Sequence, residues 1–146
     1  MHILTIEYHI GWLWGVIQMN PDKIIEGKYA LVVDDEQGIL DTLEDLLDVC
    51  RLDTATTFKE AEILLTKNPY DIAILDIMGV DGYELLKIAN SQNIPALMLT
   101  AQASTNENLY RLCEAGAAYY VPKNKMHELD TFLADIFLAI EEGQNS

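Results

Sequence analysis

The chain has 146 residues, half of them apolar, with 24 acidic against 9 basic side chains and a formal net charge of −15. That length and apolar content favour one domain with a real core and exclude global disorder. The negative field repels phosphate backbones, so nucleic acid is not an expected partner.

Residues 1–27, which hold Trp12 and Trp14, match neither a strand nor a helix template and are expected to form a loosely packed or disordered N-terminal extension. The domain proper is expected over 28–146. Ala30-Leu-Val-Val33 reads as a strand buried on both faces. Ile39, Leu40, Leu43, Leu46, Leu47 and Cys50 recur at helical spacing. Leu52 to Thr56 reads as a weaker strand and Phe58 to Thr66 as a short helix. Asp71-Ile-Ala-Ile-Leu75 is the clearest strand, ended by Asp76, with a helix over Gly82 to Ser91. Pro95 suits the first position of a strand over Ala96 to Leu99. Thr105 or Asn106 can cap a helix through Ala115, stopped by Gly116. A fifth strand, Ala118 to Val121, and a closing helix, Met126 to Glu142, complete the pattern.

Five strand–helix units in succession imply an α/β fold, a doubly wound five-stranded parallel sheet with right-handed crossovers. No segment supplies the roughly 20 apolar residues that cross a membrane. The N-terminus lacks the basic start and cleavage site of a signal peptide, so a cytoplasmic, membrane-free protein is expected. Cys50 and Cys113 read as separate reduced thiols, and His2, His9 and His127 show no metal spacing.

Ligands of such sheets bind outside the carboxyl ends of the strands. There Val33 runs into Asp34-Asp35-Glu36, Leu75 into Asp76, Leu99 into Thr100, and Val121-Pro122 into Lys123. Converging carboxylates repel one another, and Mg²⁺ with its preference for oxygen ligands is the natural remedy. A lysine and a hydroxyl beside them make a set of parts for phosphoryl transfer, with an Asp carboxylate as covalent acceptor.

Asp34-Asp35, Asp76 after its apolar strand, Asp81-Gly82-Tyr-Glu-Leu-Leu, Leu99-Thr100-Ala101, Glu114-Ala-Gly-Ala117 and Tyr120-Val-Pro-Lys123 together resemble response-regulator receiver domains over roughly Lys28 to Glu142. The resemblance implies a flavodoxin-like (βα)5 fold with strand order 2-1-3-4-5. It implies a phosphoacceptor at Asp76, served by a sensor histidine kinase or phosphotransfer protein. Asp34, Asp35, Asp76 and the Met78 carbonyl would hold Mg²⁺, Lys123 would pair with a phosphoryl oxygen, and Thr100 and Tyr120 would form the switch pair. The chain would act as a stand-alone signalling domain rather than a multiple-turnover enzyme. Its signal would pass to a downstream protein through the face of the fourth helix, fifth strand and fifth helix. A homodimer is an open alternative.

Two departures stand out. The loop Asp76-Ile-Met-Gly-Val-Asp-Gly82 is two residues shorter than the family's and lacks its proline. Asn124 follows Lys123 where the family has a proline with a cis bond, and a non-proline cis bond costs about 2.5–4 kcal/mol. Either a trans bond with a shifted lysine or a strained cis bond is therefore expected. A pseudo-receiver, an interaction module that is not phosphorylated, is the alternative function. An aspartyl-phosphate hydrolase would need a second acid where Met78 stands. Each residue also has a plainer reading: Asp34 and Asp35 as helix caps, Asp76 as a turn residue, Thr100 as a cap, Lys123 as a surface cation. Strand alternation lets only one of Tyr119 and Tyr120 face the crevice. Gln102 is a candidate for governing water access.

Overall fold

The computed structural model describes residues 20–101, 116 and 119–144. In chain order these form α1 (Pro21–Ile25), β1 (Tyr29–Val33), α2 (Gln37–Leu46), β2 (Arg51–Ala55), α3 (Phe58–Lys67), β3 (Ile72–Asp76), α4 (Gly82–Ser91), β4 (Ala96–Thr100) and β5 (Tyr119–Pro122). A 3-10 turn, Lys123–Glu128, leads into α5 (Leu129–Gln144). The five strands pair in parallel in the order β2-β1-β3-β4-β5, as expected.

Alternation along the strands feeds two cores. Leu31, Val33, Ala73, Leu75 and Met98 face one side, where Ala61 and Leu65 of α3 and Leu85, Leu86 and Ala89 of α4 cover them. Val32, Ile72, Ile74, Leu97 and Leu99 face the other, under Leu40 and Leu43 of α2 and Leu129, Leu133 and Ile136 of α5. Every residue of β3 is buried, which explains its unbroken apolar run. The Pro95 carbonyl accepts from Ala73 N at 2.9 Å, so the proline enters the ladder only as an acceptor.

Three local outcomes differ from the periodicity. The first amphipathic helix ends at Leu46 rather than Cys50, because the chain tightens there: Cys50 N donates to Leu47 O, and Val49 O accepts from Gly27 N. The closing helix begins at Leu129 rather than Met126. Before it lies the 3-10 turn, whose first residue, Lys123, is held inward by Asp34 and Asp76. The end of the expected extension is packed: Asn20 caps α1, Ile25 is fully buried with the α5 core, and the Lys28 ammonium sits 5.0 Å from the centre of the Phe137 ring. Residues 1–19, Gln102, the helix expected up to Ala115 and Cys113 lie outside the described residues.

The edge strand β2 carries a polar knot. Asp53 Oδ2 accepts from the Tyr29 hydroxyl at 2.6 Å and the Tyr70 hydroxyl at 2.7 Å, while the Arg51 guanidinium lies 4.0 Å from the Tyr29 ring centre. Burial works against the Asp53 charge, but the two hydroxyls and Arg51 outweigh it and hold the carboxyl below its usual range.

Gly38, near the start of α2, has open space where a Cβ would stand. Gly38→Ala is expected to stabilise the fold by about 0.5 kcal/mol through helix propensity. A urea midpoint that falls instead would contradict this.

Among the described residues no helix is long and apolar enough to cross a membrane.

Candidate functional site

The C-terminal ends of β1 and β3 and the residue after β5 meet at one point. Asp34, fully buried, directly follows β1, and Asp76, 4% exposed, is the last residue of β3. Lys123 Nζ lies 3.0 Å from Asp34 Oδ2 and 3.1 Å from Asp76 Oδ1. Parallel pairing brings these groups together, since β1 and β3 are neighbours in register and β4 links β3 to β5. There is no cis peptide bond among the described residues, so Asn124 follows Lys123 in trans, and the ammonium still reaches both carboxylates.

The plainer readings of the acidic pair are partly realised. Asp34 Oδ1 accepts from Glu36 N at 2.9 Å, a local turn bond that shapes the entry to α2. The N-cap of α2 is Glu36, whose side chain makes no capping bond. Asp34 Oδ2 meets Lys123 as a charge contact without an aligned hydrogen bond. Oxygens of Asp34, Asp35 and Glu36 lie within 4.8 Å of one another, and Glu36 also stands 3.9 Å from Lys123. Glu36, which the sequence shows directly after the acidic pair but to which the family resemblance gives no role, is thus a further member of this cluster.

The shortened loop closes on itself through Gly82 N donating to Ile77 O at 3.1 Å. Gly79 takes φ +86°, and a Cβ there would stand 2.5 Å from Asp35 Oδ2, so the loop lies directly against the second acid. Asp81 takes a left-handed φ of 55° as the N-cap of α4, without a side-chain capping bond. The Met78 side chain is 73% exposed. Thr100 ends β4, and Tyr120 pairs with Met98 on the α3–α4 side of the sheet, the side to which alternation also assigns Thr100. Tyr119 packs on the opposite side, where burial and then Asp135 push its hydroxyl pKa up.

Burial is the main influence on Asp76 and raises its pKa; Asp34 adds to the rise, Lys123 opposes it, and Asp35 reinforces it. For Lys123 burial disfavours the charge, but Asp34 and Asp76 outweigh it and raise the pKa. The folded state therefore holds a proton on Asp76 more tightly than the unfolded chain does. Stability from this group is greatest below the unfolded pKa and is lost as pH climbs through the raised value. In chelator, Asp76→Asn is expected to melt above the parent chain at pH 7.5, with the gap closing toward pH 4. Equal melting temperatures at both pH values would refute this.

Residues 30–134 match the family described as response regulator receiver domain. The chain belongs to this family.

Receiver-domain relatives fit that assignment at both levels. The regulatory protein VanRB of Enterococcus faecalis is 40% identical over 98 residues, covering 64% of this chain and 44% of its own. The response regulator protein PilR of Pseudomonas aeruginosa is 36% identical over 100 residues, covering 64% of this chain and 22% of its own. The chain thus spans less than half the length of these two relatives. A CheY-like receiver domain protein from Methanospirillum hungatei superposes with a TM-score of 0.72 at 26% identity, covering 81% of this chain and 99% of its own. The Francisella response regulator 1452 receiver domain gives 0.66 at 30% identity, covering 76% and 96%. The chain is accordingly a response-regulator receiver domain of two-component signalling.

Receiver domains generally bind Mg²⁺ in an acidic pocket, and the donor set here suits a hard cation. Three carboxylates, those of Asp34, Glu36 and Asp76, stand within 4 Å of one ammonium, and Asp35 clusters with Asp34 and Glu36. One buried oxygen, Asp34 Oδ2, has no aligned hydrogen bond to give up.

Proposed function

We propose that the domain accepts a phosphoryl group on Asp76 from the phosphohistidine of a sensor kinase or phosphotransfer protein, with Asp34, Asp35, Asp76 and the Met78 carbonyl as Mg²⁺ ligands. The observation that carries this reading is the single ammonium of Lys123 within hydrogen-bonding distance of both Asp34 and Asp76. An Asp76 oxygen attacks phosphorus while the donor P–N bond breaks, its electron pair leaving on the imidazole nitrogen. Lys123 then exchanges a carboxylate partner for a phosphoryl oxygen, which costs little because the ammonium already stands in place. The Thr100 hydroxyl donates to a second phosphoryl oxygen. Mg²⁺, when bound, supplies the charge neutralisation that lets an anionic donor approach this acidic pocket.

Movement of Thr100 toward the phosphoryl group frees space on the α3–α4 side of the sheet, where Tyr120 packs. The signal would leave through β5 and α5 together with the segment that joins β4 to β5, to a downstream protein in the cytoplasm. The protein's own activity is then self-phosphorylation and dephosphorylation, not turnover of an outside substrate.

The exposed Met78 and the short loop are what favour the second reading, a receiver fold used only for interaction. Incubation with acetyl phosphate and Mg²⁺, read by phosphate-affinity electrophoresis, separates the two. A retarded band that is lost in Asp76→Asn, and in EDTA, is the expected result. No retarded band from acetyl phosphate or from a phosphorylated histidine donor would leave the interaction module.

A further inference from the structure

We propose that Gly79 is a positioning residue of the cation site. Its missing side chain leaves the Asp35 carboxylate room to stand beside Asp34, and a side chain there would turn Asp35 out into water. The inference rests on the Mg²⁺ site proposed above and names what lets the short loop serve it.

The loop after β3 is pinned on both sides of Gly79. Ile77 N donates to Leu99 O at 3.1 Å, and Gly82 N donates back to Ile77 O at 3.1 Å. Val80 is 2% exposed and belongs to the core of Val33, Leu75 and Leu85. Between Ile77 and Val80 only Met78 and Gly79 lie in the open, so the backbone has little freedom to retreat.

At Gly79 a Cβ would stand 2.5 Å from Asp35 Oδ2, 2.7 Å from its Cγ and 2.8 Å from its Oδ1. All three atoms belong to one carboxylate, and all three distances are too short to persist. One partner must yield. The loop is pinned, whereas Asp35 is exposed and turns about two side-chain bonds. Asp35 therefore gives way. The contrast with Gly82 is direct, because there the nearest atoms are backbone of Asp76 and Ile77. A substitution at Gly82 strains the fold, while one at Gly79 displaces a ligand.

The displaced group is one that the cation needs. Oxygens of Asp34, Asp35 and Glu36 lie within 4.8 Å of one another, close enough for a hard ion to gather them. With Asp35 turned outward that cluster loses its middle member.

Mg²⁺ is titrated into the full chain at fixed ionic strength and followed by backbone amide shifts in NMR spectra. No phosphodonor is present, so the result stands apart from phosphorylation. Gly79→Ala is expected to weaken binding about tenfold, the scale on which groups that orient a metal ligand act. Asp35→Ala also weakens it, and Gly79→Ala added to Asp35→Ala is expected to change nothing more, since the new Cβ then has no carboxylate to displace. Alanine is strained at the Gly79 φ of +86°. Gly79→Asn, which enters the left-handed region more readily, is therefore the second variant, and binding at least as weak is expected. Parent affinity in Gly79→Asn would assign the loss to strain and overturn the proposal. So would unchanged affinity in Gly79→Ala, or an equal loss with and without the Asp35 carboxylate. A parent chain that takes up no Mg²⁺ overturns the cation reading and this inference with it, whereas parent-like binding in both Gly79 variants overturns the inference alone.

Discussion

Replacing Lys123 with methionine is expected to produce the largest combined loss. The retarded band formed with acetyl phosphate disappears, and stability at pH 7.5 falls by about 2 kcal/mol, less than for a fully buried pair because the lysine is partly exposed. The cause is the same in both cases. Asp34 and Asp76 are buried and lean on one ammonium, and without it their repulsion is unrelieved. Lys123 opposes the rise in the Asp76 pKa, so its removal pushes that pKa further up. A carboxyl whose folded pKa is raised contributes stability at low pH and loses it as pH climbs. The deficit of Lys123→Met against the parent chain should therefore shrink toward pH 4, and Mg²⁺ should restore part of it at pH 7.5. A deficit that is the same at every pH, or undiminished by Mg²⁺, would show that packing of the lysine stem is what was lost. Thermal melts at three pH values, with and without Mg²⁺, decide the matter.

The second large effect is expected at Gly82. A Cβ there would collide with the Asp76 carbonyl oxygen and stand 2.7 Å from Ile77 Cα. Both obstacles are backbone, so neither can rotate away. Gly82→Ala is expected to cost about 3 kcal/mol, at the upper end of overpacking penalties. It should also slow phosphorylation, because the displaced backbone belongs to the acceptor itself. Urea unfolding and the rate of band retardation test the two parts. A normal rate in a destabilised protein would separate the loop from the acceptor's chemistry.

These two positions also show how far the sequence could be read. The carboxylates and Lys123 were legible because each directly follows an apolar strand, and a parallel sheet gathers such strand ends. A sheet covered on both faces followed from the same alternation, whereas the strand order came from the family resemblance. Tyr120 could be separated from Tyr119 only when register placed it beside Met98. Contacts that depend on how the loop folds back were not legible. Gly79 against Asp35, and Gly82 against the acceptor's own carbonyl, are approaches between segments, and a glycine in the sequence does not say what it makes room for. Lys123 was expected to need either a cis bond or a displaced position. A 3-10 turn in place of the first helical turn brings the ammonium home with a trans bond. The burial of Ile25 was invisible for a different reason: a five-residue helix is too short to show a period.

The knot around Asp53 bears on how molecules of this protein behave when crowded. Strand β2 ends the sheet, and an open strand is a template on which a neighbour's backbone can continue the ladder. Asp53 sits in the middle of that strand with its charge drawn inward by the Tyr29 and Tyr70 hydroxyls. A foreign strand flattening β2 to match its own register would pull the carboxylate from both donors into a drier seam. The edge is thus expected to resist such pairing, guarded by one charge and two phenols.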